Sequence, residues 1–305
     1  MSATDRPAAG SRPYRYATTH PIDEWPARHG QPGVLHKDLA PGRVTAAGLA
    51  ARPDWMCDPL REILAYRLLL VDAPPGPPRL IDSLADAEAG CWWIRVEAVV
   101  GAPLTEVGDL ERWIDAAGWI GSFHAWTDTL DPLPEVHPVL WTRAAVAGVS
   151  LRAVATAPLG SLGPILELAH RADELVDLLC AGPTGLIHGE LTASNVVVPA
   201  DPARPVAVVD WELVAMGPRM LDLASLVVGW DEASVDRLLA AYVGASDWAG
   251  SDPARHLDPA RHLDAARLFN ALRWIGQVGS QWRPPVEHRT DWLDEAVAAA
   301  RRLGW

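Results

Sequence analysis

Three polar residues, His188, Glu190 and Asn195, interrupt the apolar runs of "LIHGELTASNVVV", residues 186–198. A fourth, Asp210, follows "VAVV" and opens "DWE". Phosphoryl transfer needs a carboxylate beside the acceptor hydroxyl to position it and take its proton. It also needs hard oxygen ligands that hold magnesium across the nucleotide phosphates. Glu190 could fill the first role, and Asn195 and Asp210 the second. The same residue types also cap turns, which is their common use beside strand ends.

The elements that must hold these side chains are short. "GLIH", "NVVV" and "VAVVDW" read as three strand-like pieces, so each polar group emerges at a strand edge where backbone pairing can fix it. Upstream, β-like pieces alternate with turn residues in "PYRYATTHPIDEW" and "GVLHKDL", and Lys37 ends the second. "DPLREILAYRLLL" opens with an acid and a proline, then spaces Leu60, Ile63, Leu64, Arg67 and Leu68 as a helix does, with Glu62 in its first two turns. "CWWIRVEAVVG" reads as a strand that runs into a connector. "DLERWIDAAGWIGSFHAW" places Leu110, Trp113, Ile114, Ala117, Ile120, Gly121 and His124 on one stripe, the pattern of a buried helix. Residues 136–181 and the tail from Asp222, beginning with "ASLVVGW", read as helical.

A formal charge of −13 in 305 residues argues against a sequence-independent grip on nucleic acid or on an anionic membrane, since both need clustered Lys and Arg. No apolar run approaches a membrane span and the start lacks a signal-peptide core, so the expectation is a cytoplasmic protein. Cys57, Cys91 and Cys180 show no metal or disulfide spacing and read as small core residues. His256 and His262 lie six apart, which misses the spacing that puts two ligands on one helical face. Rare residues are more telling. Lys37 is the only lysine beside 25 arginines, and Asn195 and Asn270 are the only asparagines.

The order H-G-E-x-x-x-x-N, strand, D-W-E resembles the catalytic loop and metal-binding segment of the aminoglycoside phosphotransferase and choline kinase type of small-molecule kinases, which share the protein kinase fold. The resemblance runs from about Tyr14 to the C-terminal helices. It implies an α+β, bilobal fold: a leader over 1–12, a small β-rich N-lobe over 13–98 and a larger, mostly helical C-lobe over 99–305. "GVLHKDL" and "REILAYRLL" resemble the lysine strand and its partner helix, which implies a Lys37–Glu62 ion pair with Lys37 reaching the nucleotide phosphates. "WIRVEAVVG" resembles the connector whose backbone, at Glu97, Ala98 and Val99, receives adenine. Glu190 would then be the catalytic carboxylate and Asn195 and Asp210 the magnesium ligands. His188 would brace the loop, and Asp222 would steady it by hydrogen bonds. The implied cofactors are ATP, with GTP as the other candidate, and Mg.

Two departures stand out. The family usually has Asp where this chain has Glu190, and the extra methylene moves the carboxylate by roughly 1.5 Å. The nucleotide-covering region "YRYATTHPIDEW" has no glycine, so Thr18, Thr19 and His20 are candidates for part of the phosphate contact, against an ordinary polar turn. The leading expectation is a kinase for a hydroxyl of a small molecule: a sugar, an amino sugar, an aminoglycoside-like compound or a natural-product intermediate. A peptide Ser/Thr kinase and a nucleotide-binding pseudokinase are the alternatives. Trp-rich tail segments such as "VVGWDEAS" and "LRWIGQVGSQW" could line the acceptor pocket.

Overall fold

The first sheet has the order β1-β2-β3-β5-β4 and is richest in β-branched and aromatic residues along its inner strand "CWWIRVE". Its strands are β1 (Arg12–Pro13), β2 (Ile22–Trp25), β3 (Val34–Asp38), β4 (Leu80–Asp86) and β5 (Cys91–Glu97), all antiparallel. The computed structural model describes residues 12–13, 19–27, 32–45, 56–157, 162–248, 257–278 and 291–305. Most of the expected leader and Thr18 lie outside the described residues. Lys37 sits near the end of β3, opposite Ile22 on β2 and Ile94 on β5, so its side chain starts from the middle of the sheet. Helix α1 (Pro59–Leu64) follows, capped by Asp58, whose carboxylate accepts from the Leu60 amide at 2.9 Å. One π-turn at Ala65–Leu69 continues it.

The chain leaves this sheet at Glu97 and enters a second one at β6 (Gly101–Pro103). That sheet has the order β10-β9-β6, with β9 (Val196–Pro199) and β10 (Ala207–Val208). A third has the order β7-β11-β8, with β7 (Val139–Leu140), β8 (Thr184–Ile187) and β11 (Ala215–Pro218). The polar loop 188–195 therefore runs from β8 to β9, and the "DWE" segment from β10 to β11. β8 pairs with β11 at one end and β9 with β10 at the other, with Ile187 opposite Ala215 and Val196 opposite Val208. Two antiparallel ladders thus clamp both ends of both loops.

Helices complete the second lobe: α2 (Leu110–Thr127), α3 (Arg143–Thr156), α4 (Leu162–Ala169), α5 (Ala172–Ala181), α6 (Met220–Leu226), α7 (Glu232–Ala245), α8 (Pro259–Val278) and α9 (Trp292–Leu303). α2 buries the expected stripe, including Trp113, Ala117, Ile120, Gly121 and His124. It packs on α7 so closely that a Cβ at Gly121 would lie 2.4 Å from the Tyr242 carbonyl oxygen. Among the described residues no helix is long and apolar enough to cross a membrane.

Several local expectations are corrected. Strands β4, β7 and β11 were not expected. "AMGP" in β11 carries Gly and Pro, which depress strand propensity, and β4 is an edge strand with charged residues on its open face. The segment 136–181 is helical as expected, in three helices, except that β7 precedes them. α6 begins at Met220, so Asp222 lies inside its first turn, and it ends at Leu226 because Gly229 follows in a left-handed turn (φ 87°). The cysteines are not buried in the core, although Cys180 packs against it. Cys57 is exposed and Cys91 and Cys180 are half-buried, since each lies at or near the end of an element.

Trp211, between Asp210 and Glu212, is fully buried. It packs on Phe123 (5.2 Å) and His188 (4.7 Å), and its Nε1 donates to Val208 O at 3.0 Å. Trp211→Ala should lower the free energy of unfolding by about 3–5 kcal/mol. Urea denaturation checks this, and a loss below about 1 kcal/mol would show that the segment is held without it.

Candidate active site

Lys37 is the centre of the site's charge. Its Nζ lies 2.8 Å from Glu62 Oε2 and 3.2 Å from Glu212 Oε2, and it bonds Asp210 Oδ1. Lys37, Glu62 and Glu212 are buried, and Asp210 is partly open. Burial alone would push the ammonium down, but the carboxylates of Asp210, Glu212 and Glu62 outweigh it and hold Lys37 well above its ordinary value. Glu62 is pushed up to about 7, first by burial, against the pull of Lys37, and further by Asp210 and Glu212. The ligand oxygens of Glu62, Asp210 and Glu212 lie within 4.8 Å of one another.

Arg61 ties this cluster to the second lobe. It is buried, and its guanidinium donates to His137 O (2.8 Å), Met56 O (2.7 Å) and Glu212 O (3.1 Å). Neighbouring residues of α1 therefore fix the lysine and the backbone of the "DWE" segment.

The loop 188–195 lies against that segment. Val209 N donates to Asn195 O at 2.9 Å, and His188 Nε2 donates to Val209 O at 2.9 Å. Asn195 Nδ2 donates to Glu190 O at 2.9 Å, so Oδ1 is the ligand atom this side chain can offer a cation. Asp210 adopts a left-handed conformation (φ 66°, ψ 62°), as does Gly189 (φ 86°). At Gly189 only glycine fits, because a Cβ would lie 2.0 Å from Leu213 O. Asp222 holds the start of the loop: Oδ2 accepts from His188 N (2.8 Å) and Oδ1 from Gly189 N (2.9 Å). His124 Nε2 donates to Asp222 Oδ2 at 3.1 Å, and its Nδ1 accepts from the Tyr242 hydroxyl at 3.0 Å. Burial alone would raise the Asp222 carboxyl. The hydrogen bonds from His124 and His188 prevail and hold it below the usual carboxylate range.

The other expected positions are more dispersed. Of the connector amides, Glu97 N donates to Arg79 O (3.0 Å) and Ala98 N to Gly33 O (2.9 Å). The Glu97 side chain pairs with Arg204 at 3.3 Å, a structural tie rather than a ligand contact. Among the described residues, no internal acceptor is found for the Val99 amide. Thr19 offers its carbonyl to Thr45 N at 2.9 Å, and His20 Nε2 lies 3.3 Å from Glu212 Oε2. His262 packs on Trp248, and His256 lies outside the described residues.

Two residues were missed by the sequence reading. Glu212 had a signal, its place two residues after Asp210. Arg273 had none. It comes from α8, and its Nη1 donates to Gly189 O at 2.9 Å while Nη2 lies 3.4 Å from Glu190 Oε1. Beyond the loop opens a cavity of about 560 Å³ lined in part by Thr192, Trp113, Trp230, Trp274, Trp292 and Asp294. Trp230 and Trp274 belong to the two tail segments singled out above, and Trp282 lies outside the described residues.

Residues 50–258 match the model of the phosphotransferase enzyme family. Among solved structures, the chain is similar to a choline/ethanolamine kinase family protein from Mesorhizobium loti (TM-score 0.60, 15% identity, 96% of this chain and 86% of that one). It is also similar to aminoglycoside 2′-phosphotransferase-IIIa, solved with GDP (0.63, 14%, 98% and 93%). A third similar structure is an amicoumacin kinase bound to AMP-PNP and Ca²⁺ (0.58, 12%, 96% and 86%). At these identities the likeness is one of fold: a kinase-like architecture of small β-rich and larger helical lobes. No match to a curated protein sequence was found.

The Asp222 network yields a pH prediction. Burial, the largest cause, lowers His124, against the pull of Asp222; Arg219 lowers it further and Asp128 raises it. With a folded value below the unfolded one near 6.5, the neutral ring's contribution is complete above about pH 6.5 and declines as the pH falls below it. The urea midpoint of the wild-type protein should therefore drop more between pH 7.5 and 5.5 than that of His124→Gln. Equal drops would show that His124 is not responsible.

Proposed function

The chain belongs to the phosphotransferase enzyme family and is a kinase with a hydroxyl acceptor, and from that premise we propose that it moves the γ-phosphoryl group of ATP to a hydroxylated small molecule bound in the tryptophan-lined cavity. The observation that carries this reading is the juxtaposition of Lys37, Glu62, Asp210 and Glu212 with the clamped loop that bears Glu190 and Asn195.

Each residue then has a role. Lys37, oriented by Glu62, holds the nucleotide phosphates, and the Val99 amide offers a donor to the base. The Glu190 carboxylate orients the acceptor hydroxyl and takes its proton as the acceptor oxygen bonds to the γ-phosphorus. The bond from that phosphorus to the bridging oxygen breaks, and its electron pair leaves with ADP. The three carboxylates around one lysine form an oxygen-rich set that suits a hard divalent cation, and the backbone bond from Val209 N to Asn195 O holds Asn195 against the segment that carries Asp210. Asp210 and Asn195 would hold magnesium, with Glu212 at hand, and the ion would supply neutralising charge to the phosphate oxygens. On the acceptor side, flat indole faces suit the CH faces of a sugar ring, and the Asp294 carboxylate suits an ammonium. An amino sugar or an aminoglycoside-like compound combines both features.

The test is magnesium-dependent nucleotide binding by calorimetry, together with turnover on a panel of sugars, amino sugars and Ser/Thr peptides. Glu190→Gln should keep nucleotide affinity and lose about a hundredfold or more in kcat. Asp210→Ala should lose the magnesium dependence of binding. Nucleotide binding without turnover across the panel would instead identify a pseudokinase, and turnover on peptides alone would move the acceptor class. ATP against GTP is decided in the same titrations.

A further inference from the structure

Glu190 carries one more rotatable bond than the aspartate usual in the family, and a catalytic carboxylate free to swing about that bond would be poorly placed. The surroundings of Glu190 answer this. Its backbone is fixed on one side by Asp222, through the Gly189 amide at 2.9 Å, and on the other by Asn195, which donates to Glu190 O at 2.9 Å. What remains to be fixed is the side chain. Arg273 is 4% exposed and reaches it from α8, one arm of the guanidinium on Gly189 O and the other on Glu190 Oε1. The plane of the same guanidinium lies near the Trp141 ring, 5.5 Å from its centroid. The fork thus spans the backbone of one loop residue and the carboxylate of the next, a geometry that a rigid planar group can hold and a flexible ammonium cannot.

The register of α8 is itself set by the element that steadies the loop. Asn270, one turn before Arg273, donates to Leu221 O (3.2 Å) and Ser225 Oγ (3.0 Å) on α6, the helix that carries Asp222. Trp274, next after Arg273, lines the acceptor cavity. One helix therefore presents the carboxylate's partner and part of the cavity wall from a single fixed position. This also gives a role to the second of the chain's two asparagines.

We propose that Arg273 is a positioning residue that holds the longer Glu190 side chain in the one arrangement useful for transfer. Fixing Oε1 fixes where Oε2 can meet an acceptor hydroxyl, and it keeps the carboxylate within the fraction of an ångström that the reaction tolerates. A misplacement of about 1 Å costs on the order of a hundredfold in rate. The inference rests on the reading of Glu190 as the carboxylate that receives the acceptor's proton.

The experiment uses the full chain and ADP formation from ATP with excess magnesium, water serving as acceptor so that none need be known. Four proteins are compared: Arg273→Met, Arg273→Lys, Glu190→Ala and the Glu190→Ala/Arg273→Met double variant. Arg273→Met should lower kcat by about a hundredfold with KM for ATP within about twofold of wild type, and Arg273→Lys should recover only part of the loss. In the Glu190→Ala background, removing Arg273 should cost nothing further, whereas a merely structural role would cost the same in both backgrounds. Crystal structures of wild type and Arg273→Lys add a readout independent of turnover: the carboxylate should turn away while the Asp222 hydrogen bonds to His188 and Gly189 persist. If Glu190→Ala keeps the wild-type rate, the reading of Glu190 itself fails. If Glu190→Ala loses the rate while both Arg273 variants keep it, or if the carboxylate stays in place without the guanidinium, only the Arg273 inference is overturned. Arg273→Lys and its structure decide the matter even if Arg273→Met does not fold.

Discussion

A buried carboxylate, Asp222, is the constraint on which the site depends. It is 1% exposed, and a charge so placed is costly unless it is fully hydrogen-bonded. It is satisfied by two successive backbone amides, at His188 and Gly189, and by the His124 ring, which is in turn held by Tyr242. The direct partners come from the loop and α2, and α7 supplies the hydroxyl that holds the His124 ring. A shift of the loop or of α2 would cost the buried charge part of its hydrogen bonding, so the start of the loop is fixed to the helical core by electrostatics as well as by packing.

The far end of the loop is fixed differently. There the β9–β10 ladder and the bond from Val209 N to the Asn195 carbonyl bring the backbone of Asn195 to the strand that delivers Asp210. The β8–β11 ladder closes the opposite end. Short strands suffice because each loop is restrained at both ends, and the left-handed turns at Gly189 and Asp210 set the direction in which the polar side chains leave the backbone.

Where Asp222 is held by neutral donors, the Lys37 cluster gathers three carboxylates about one ammonium, with His20 3.3 Å from Glu212. Three carboxylates share one ammonium in a mostly buried space, and burial drives Glu62 upward despite its ion pair. Such an arrangement is poorly suited to being merely structural. It is well suited to accepting further positive charge, and phosphate oxygens beside it, at modest reorganisation. Arg61 keeps α1 in place for that purpose by bonding three carbonyl groups from outside its own helix.

The residues by which the site could be read in the sequence are those whose spacing is local. H-G-E-x-x-x-x-N and D-W-E lie within short segments, and Lys37 and Glu62 end or open elements with clear periodicity, so all could be named before any fold was known. The fold class was legible through the resemblance that these same motifs carry, and the change from strand-like pieces to helical stripes along the chain agrees with it. Tertiary structure alone decided the rest. Arg273 meets Glu190 across 83 residues and Arg204 meets Glu97 across 107, and nothing in a periodic pattern marks such partners. Strand β11 is weak by composition and exists because β8 and β7 offer it a ladder on each side. Local sequence specifies which groups are available and roughly which element carries each. Only long-range packing sets the distances between them, because burial and charge compensation are properties of the assembled chain.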